Sequence, residues 1–234
     1  PETILPVIQS RVTEEMCLGL PDRGDGTFKK EALKEILDFS RRKASVIAVG
    51  PGIGVTEETR HLMRSLVHEI NIPLVIDADG INSLEGTPEV LKEAKKMPVI
   101  TPHPGEFARL TGISKEEIEK KRIDLPAEFS LRYSVTTVLK GVPTVIGHNG
   151  YSYINQTGNP AMAKAGSGDV LTGIIAGFMA QGLSGLEASL LGVYIHGLSA
   201  DKGARDKGPY SLLASHIIEY LPEAFKELTG SWIS

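Results

Sequence analysis

A shortage of cysteine sets the first limit on this chain. Cys17 is its one cysteine, which excludes an internal disulfide framework and fits a reducing compartment. Its neighbours Met16 and Leu18 are apolar, so we expect Cys17 to be a buried structural thiol rather than a nucleophile. A small extracellular fold held together by disulfides is therefore excluded.

Long apolar runs are also missing. No stretch approaches about 18 residues without a charged or turn residue, and no charged-then-apolar leader opens the chain, so no membrane-spanning helix is predicted. Basic clusters are no larger than Arg41-Arg42-Lys43 or 119–122, in a chain whose formal net charge is −4. Both clusters are typical of solvated helix ends, so we predict a cytoplasmic protein with neither a membrane nor a nucleic acid as partner.

Several well-known catalytic motifs are absent as well. The sequence contains no Gly-x-Ser-x-Gly elbow, no Walker loop and no pair of histidines at metal-ligand spacing. His196 stands alone between Ile195 and Gly197 and is interpreted as a core or interface histidine. The 234 residues have ordinary globular composition without a visible break, which predicts a single domain over 1–234.

Alternating β-rich and helical patterns fill the chain. Strands are predicted at 45–49, 74–76, 99–100, 137–140, 144–147 and 151–154, with an edge strand at 15–20 and an Asn-Gly turn joining the last pair. Helices are predicted at 3–12, 28–40, 56–70, 88–95, 114–134 with a break near Pro126, 170–181, 186–201, 211–219 and 222–228. This alternation predicts an α/β fold with a mostly parallel sheet covered on both faces, followed by a helical C-terminal part.

The segment Gly166-Ser167-Gly168-Asp169 is the strongest functional candidate. Its glycines allow positive φ and close approach to a ligand, and the first N–H groups of the following helix have no helical partners, so the turn suits a phosphate. Asp169 within that turn could take a proton from a hydroxyl that attacks phosphorus. The alternative is a simple glycine turn in which Asp169 caps a helix beginning at Val170.

Four other polar segments each follow a predicted strand. They are Gly50-Pro51-Gly52-Ile53-Gly54, Asp77-Ala78-Asp79-Gly80-Ile81-Asn82, Thr101-Pro102-His103-Pro104-Gly105-Glu106 and Lys140-Gly141-Val142-Pro143-Thr144. Because ligands collect at the carboxyl ends of parallel strands, we expect all four to face one crevice closed by 166–169.

Individual residues in these segments leave alternatives open. Asp77 and Asp79 could share a metal or bind hydroxyls together with Asn82, or one of them could cap the following helix. The two prolines around His103 fix its backbone, which suits a binding histidine. Glu106 could simply occupy the first turn of a helix.

Together these segments resemble the ribokinase-like superfamily and, within it, the family of ADP- or ATP-dependent NAD(P)H-hydrate dehydratases. The matching segments run in family order: 50–54, 75–82, 101–106, 139–141 with 144–146, 159–160 with 166–173, and 194–197 with 212–215. The resemblance implies a three-layer αβα sandwich. It also implies the nucleotide-dependent dehydration of hydrated NAD(P)H, called NAD(P)HX, to NAD(P)H with release of phosphate and of AMP or ADP.

The family pattern also implies roles for single residues. Asp169 would be the catalytic base, and Gly54, His103 and Asp169 would contact the hydrated dinucleotide. The residues implied to hold ADP or ATP, with Mg²⁺ as the expected metal, are Lys140, Gly141, Val142, Pro143, Thr144, Gly166, Ser167 and Gly168. The apolar faces of the late helices lead us to expect a homo-oligomer, up to a tetramer. Full-length relatives imply a fused or separate NAD(P)HX epimerase.

Three departures from the family pattern stand out. Ser167 replaces a threonine and keeps the hydroxyl, while Lys164 and Ala165 replace small residues, which makes Lys164 a candidate phosphate partner. The family's N-terminal strand and glycine-rich helix start are not found before Pro1.

Two alternative functions share the 166–169 turn: a ribokinase-like kinase for a vitamin precursor such as hydroxyethylthiazole, and a nucleotide-binding protein without turnover. The segments 77–80 and 103–106 favour the dehydratase, and the choice between ADP and ATP stays open.

Overall fold

A computed structural model describes residues 1–230 and shows the predicted alternation of strands and helices. The strands are β1 (Ile47–Val49), β2 (Leu74–Ile76), β3 (Val99–Ile100), β4 (Thr136–Leu139), β5 (Val145–His148) and β6 (Tyr151–Ile154). The α-helices are α1 (Leu5–Gln9), α2 (Glu31–Lys43), α3 (Glu57–Glu69), α4 (Ala78–Asn82), α5 (Pro104–Thr111), α6 (Lys115–Lys120), α7 (Asp124–Tyr133), α8 (Ser167–Ala180), α9 (Gly185–Lys207), α10 (Ala214–Glu219) and α11 (Leu221–Thr229). Short 3-10 helices cover Glu2–Ile4, Pro88–Glu93 and Pro160–Met162.

The strands form one sheet in the order β1-β2-β3-β4-β5-β6. The pairs from β1 to β4 are parallel, and β5 and β6 join antiparallel at the β4 edge. Asn149 and Gly150 connect β5 to β6 with φ of 48° and 84°, the positive values that a two-residue hairpin turn requires. The mostly parallel sheet and the Asn-Gly hairpin are confirmed.

Successive side chains along each strand point into two different cores. Leu74, Ile76 and Ile100 pack with the helices that connect the parallel strands. Val75 and Val99 pack on the opposite face with α8 and α9. Since residues two apart in a strand share a face, this division gives a sheet between two helical layers. The expected three-layer αβα arrangement is confirmed.

Side-chain caps fix the start of several helices. Thr56 Oγ1 accepts the N–H of Thr59, and Thr59 Oγ1 accepts the N–H of Thr56, which closes the first turn of α3. Ser184 and Glu187 form the same reciprocal pair at the start of α9. These caps agree with the helix that was expected from Thr56.

Part of the N-terminal prediction is wrong. No strand forms at 15–20, where the alternating pattern suggested one; Met16 is 97% exposed, so the pattern has no sheet to pack against. Cys17 is half-buried rather than fully buried because its neighbours point to solvent. Helix α2 begins at Glu31, since Phe28 pairs in an isolated bridge with Asp22.

Several helix bounds also differ from the prediction. The break between α6 and α7 lies at 121–123, so Pro126 stands in the first turn of α7, where its missing N–H costs nothing. The segment 88–93 is a 3-10 helix rather than an α-helix to 95. Helix α9 continues to Lys207, and α10 begins at Ala214. Among the described residues, no helix is both long and apolar enough to cross a membrane.

Candidate functional site

The turns after β1 and β2 press directly against each other. Gly50 has φ of +134°, and a Cβ on it would lie 1.8 Å from the carbonyl oxygen of Asp77, closer than any side chain allows. Only glycine therefore fits this position. The contact brings the segment 50–54 beside the segment 77–82, as the strand-end argument predicted.

The carboxylates of Asp77 and Asp79 bind different partners. Asp79 Oδ2 accepts the N–H of Gly54 at 3.0 Å, and Asp79 Oδ1 lies 3.4 Å from Asn82 Nδ2. Asp77 precedes α4 but makes no capping bond to it. Within residues 1–230 no group of three His, Cys, Asp or Glu side chains could hold a metal ion. The alternative that Asp77 caps α4 is therefore wrong, whereas a metal or a hydroxyl shared by Asp77 and Asp79 stays a prediction.

Asp77 instead joins β2 to β4 and α8. It is 1% exposed, its Oδ1 accepts a hydrogen bond from Lys140 Nζ at 2.8 Å, and its Oδ2 accepts one from Thr172 Oγ1 at 2.8 Å. A second carboxylate oxygen, Glu106 Oε2, lies 3.7 Å from the same Lys140 nitrogen. Lys140, predicted from the strand end, thus stands between two buried carboxylates.

His103 caps the helix that follows it. Its Nδ1 accepts the N–H groups of Gly105 and Glu106 at 2.9 and 3.2 Å, and Glu106 Oε2 accepts the N–H of His103 at 2.8 Å. Burial lowers the pKa of His103; Glu106 opposes this shift, whereas Lys140 and Arg109 add to it. The ring is half-exposed, with Nε2 3.3 Å from Glu106 Oε1, so a fixed imidazole borders the crevice. Glu106 does occupy the first turn of α5, as the alternative for it held.

The start of α8 has no such cap. Gly166 precedes the helix with φ of +87°, and the helix begins at Ser167, so Asp169 is its third residue. The prediction of a helix that starts at Val170 and is capped by Asp169 is wrong. Over the described residues 1–230, the N–H groups of Gly168 and Asp169 make no hydrogen bond. Asp169 is exposed, so an open, electropositive helix end carries an accessible carboxylate.

Lys140 lies directly below this helix end. A Cβ on Gly168 would be 3.1 Å from Lys140 Nζ and 3.8 Å from Asp77 Oδ2, which places the ammonium against the first turn of α8. An apolar groove of about 560 Å³ starts at Asp169 and follows α8 to Phe225 of α11. The structure therefore brings together segments 77–82, 101–106, 140–144 and 166–169.

Arg122 shapes the loop 140–144 and was missed by the sequence reasoning. We expected it to belong to a solvated cluster, but it is 7% exposed, and its guanidinium donates to the carbonyls of Lys140 and Pro143 at 3.2 Å each. The same loop is closed by Thr144 Oγ1, which donates to the carbonyl of Gly141 at 3.1 Å. Val142 at the tip is exposed. No local pattern marks an arginine that binds carbonyls 18 residues or more away.

Two further residues pack around the glycine turn. Lys164 Nζ donates to the carbonyls of Tyr210 and Leu212, which ties the loop before α8 to the segment before α10. These contacts give Lys164 a structural role, and its candidate role as a phosphate partner stays a prediction. His196 is 6% exposed, as expected of a core histidine. Burial lowers the pKa of His196 to about 4, the nearby Ser167 backbone opposes that shift, and the Lys140 charge adds to it.

Comparison with known proteins identifies the family of the chain. Residues 2–223 match the family model described as NAD(P)H-hydrate dehydratase. The chain belongs to this family. It is 38% identical over 229 residues, 97% of its length, to the bifunctional NAD(P)H-hydrate repair enzyme Nnr of Moorella thermoacetica, and spans 43% of that relative.

Solved structures agree with membership of the NAD(P)H-hydrate dehydratase family. The ADP/ATP-dependent NAD(P)H-hydrate dehydratase of Bacillus subtilis, co-crystallised with ATP/Mg²⁺ and soaked with CoA, aligns with a TM-score of 0.78 and 31% identity over 97% of this chain and 78% of that one. Ribokinase of Thermotoga maritima aligns with a TM-score of 0.52 at 16% identity over 81% of this chain and 61% of that one. The second alignment shows the fold alone and confirms that it is ribokinase-like.

Proposed function

We propose that this chain catalyses the dehydration of NAD(P)HX to NAD(P)H at the expense of ADP or ATP. The observation that carries the proposal is the start of α8, where unbonded N–H groups surround the exposed Asp169 and Lys140 lies beneath. Such a helix end binds phosphate, and a carboxylate beside bound phosphate is unfavourable unless it takes up a proton. Family membership supplies the reaction in which both features are used.

The proposed chemistry divides a difficult step into two. Asp169 takes the proton from the hydroxyl on C6 of the hydrated nicotinamide while the oxygen of that hydroxyl attacks the terminal phosphorus of the nucleotide. The bond from that phosphorus to the AMP or ADP leaving group breaks. The lone pair of the ring nitrogen then expels phosphate, which carries away the C6 oxygen. Loss of the C5 proton restores the double bond of NAD(P)H.

The residues around Asp169 divide into two proposed sets. Gly54 and His103 lie on the side of β1 and α5, where His103 is neutral at physiological pH because its pKa is lowered by burial, and we assign them to the hydrated dinucleotide. The nucleotide set is Lys140, Gly141, Val142, Pro143, Thr144, Gly166, Ser167 and Gly168. Mg²⁺ would arrive with the nucleotide, because it usually binds through phosphates and water rather than through an all-protein site.

Further parts of the proposal concern the protein around the site. We propose that the chain acts as one ribokinase-like domain and that it works in the cytoplasm as a homo-oligomer of up to four copies. The relative from Moorella thermoacetica is named bifunctional and is more than twice as long as this chain, so we propose that an NAD(P)HX epimerase acts with this chain, fused or separate.

The reaction is tested by mixing the protein with NADHX and either ADP or ATP and following NADH absorbance. The proposal expects absorbance to rise with one nucleotide and phosphate to appear in equal amount. A vitamin-precursor kinase would consume ATP with hydroxyethylthiazole and leave the absorbance flat. A nucleotide-binding protein without turnover would leave the absorbance flat and consume no ATP. Either result would contradict the dehydratase.

A further inference from the structure

The carboxylate of Asp77 has no part in the proposed reaction, yet it is the most buried charged group near the site. It is 1% exposed and each of its oxygens accepts one side-chain hydrogen bond at 2.8 Å, from Lys140 and from Thr172. A buried charge is unfavourable unless it is paired and hydrogen-bonded. The pairing explains how Asp77 is tolerated, but not why a carboxylate stands under an anion-binding turn.

Lys140 gives the reason for that placement. A lysine ammonium is a point charge on a flexible stem, so its position depends on its partners. Asp77 Oδ1 holds it at 2.8 Å, whereas Glu106 Oε2 competes from 3.7 Å on the side of α5. The carboxylate that binds the Lys140 ammonium determines whether the positive charge lies below α8 or near the start of α5.

Thr172 fixes the helix relative to the same carboxylate. It lies one turn after Gly168, and its hydroxyl donates to Asp77 Oδ2. Asp77 therefore sets the distance between the Lys140 ammonium and the first turn of α8, where a Cβ on Gly168 would be only 3.1 Å from that nitrogen.

We infer that Asp77 is a positioning residue, which holds the Lys140 ammonium under the 166–169 turn so that its charge acts on the terminal phosphate of the nucleotide. The inference rests on the proposed function for the identity of that phosphate. A charge directed at phosphate adds affinity for ADP but none for adenosine. A salt bridge that only stabilises the fold would affect both ligands alike.

The test measures dissociation constants of ADP and adenosine by calorimetry for the wild type, Asp77→Asn, Lys140→Met and the double variant. Asp77→Asn keeps the size of the side chain and an acceptor for Thr172. We expect it to weaken ADP binding about tenfold, the scale of losing a charge-assisted contact, while adenosine binding stays within about twofold. Equal weakening of both ligands, or no change in ADP binding, would overturn the inference.

The double variant keeps the test decisive if Asp77→Asn alone does not fold. Neither the Lys140 ammonium nor the Asp77 carboxylate is left buried without the other, so the double variant avoids the main source of instability. If Asp77 acts only through Lys140, the double variant binds ADP at least as well as Lys140→Met; weaker binding would refute a positioning role.

Failure of this inference and failure of the proposed function give different results. A wild type that converts NADHX, with an ADP affinity that Asp77→Asn leaves unchanged, would remove the inference alone. A wild type that binds ADP without converting NADHX would remove the proposed function alone. A wild type that binds neither ADP nor ATP would overturn both.

Discussion

Helices α5 and α8 both begin at the carboxyl edge of the parallel strands, and only one of them is open. At α5 the ring of His103 accepts the first free N–H groups and Pro104 has none to offer. At α8 the N–H groups of Gly168 and Asp169 make no hydrogen bond within the described residues. A helix start attracts anions only while its donors remain free, so the same element provides a rigid wall at α5 and the proposed phosphate site at α8.

The largest expected effect follows from replacing the carboxylate at the open end. Asp169→Asn removes the proposed base and should lower turnover of NADHX by about 1,000-fold, within the range for loss of a general base. ADP affinity should be kept, because the free N–H groups remain. Initial rates and calorimetric titration with ADP measure the two quantities.

A matched control for Asp169→Asn is Asp124→Asn, which removes another exposed carboxylate from a helical first turn, that of α7. This control should keep the wild-type rate. Retained turnover in Asp169→Asn together with weakened ADP binding would show that the carboxylate serves the nucleotide and not the proton transfer.

The second prediction concerns the buried side of α8. The pKa of His196 falls from 6.5 to about 4 on folding, which at roughly 1.4 kcal/mol per unit corresponds to about 3 kcal/mol. The unfolded chain takes up this proton first, so the contribution is present above pH 6.5 and is lost as the pH falls toward 4. Urea unfolding across that window should show the decline.

His196→Gln should flatten the decline in the free energy of unfolding. His148→Gln is the control, because burial also lowers the pKa of His148, which lies in β5 away from α8. It should retain most of the wild-type slope. An unchanged slope in His196→Gln would mean that His196 is protonated in the folded protein and that the core behind α8 tolerates a second cation near Lys140.

The sequence predicts the sheet edge at which α5 and α8 begin better than it predicts which of the two helix starts is capped. The strands and the glycines that follow them are local patterns, so the sequence alone predicts the position of the crevice. The closure of α5 by His103 was not predicted, because two prolines indicate rigidity but not the direction of a ring. The contacts of Asp77, Arg122 and Thr172 join residues far apart in the chain, and no local pattern encodes them.

The third prediction concerns variants of Gly166 whose side chains cap the free N–H groups at the start of α8. Asp and Asn tolerate the positive φ of Gly166 better than other side chains, and either could cap the N–H groups of α8. Gly166→Asp also adds a negative charge, so it should bind ADP about tenfold more weakly than Gly166→Asn. Because the two variants share the backbone strain and the close contact with Ala214, their ratio isolates the charge. Wild-type ADP affinity in both would show that phosphate binds elsewhere.

The smallest expected effect follows from removing the His103 cap at the start of α5. His103→Ala removes the acceptor of two N–H groups at α5 and should lower the free energy of unfolding by about 1 kcal/mol, the usual value of a lost cap. His103→Asn restores a capping side chain without the imidazole, so chemical denaturation should find its stability near that of the wild type. If the ring also contacts the hydrated dinucleotide, both variants raise the KM for NADHX. The KM then stays high in His103→Asn, although its stability is near that of the wild type. A KM that recovers together with stability in His103→Asn would show that His103 acts only as a helix cap and that, of these two helix starts, α8 alone recognises a ligand.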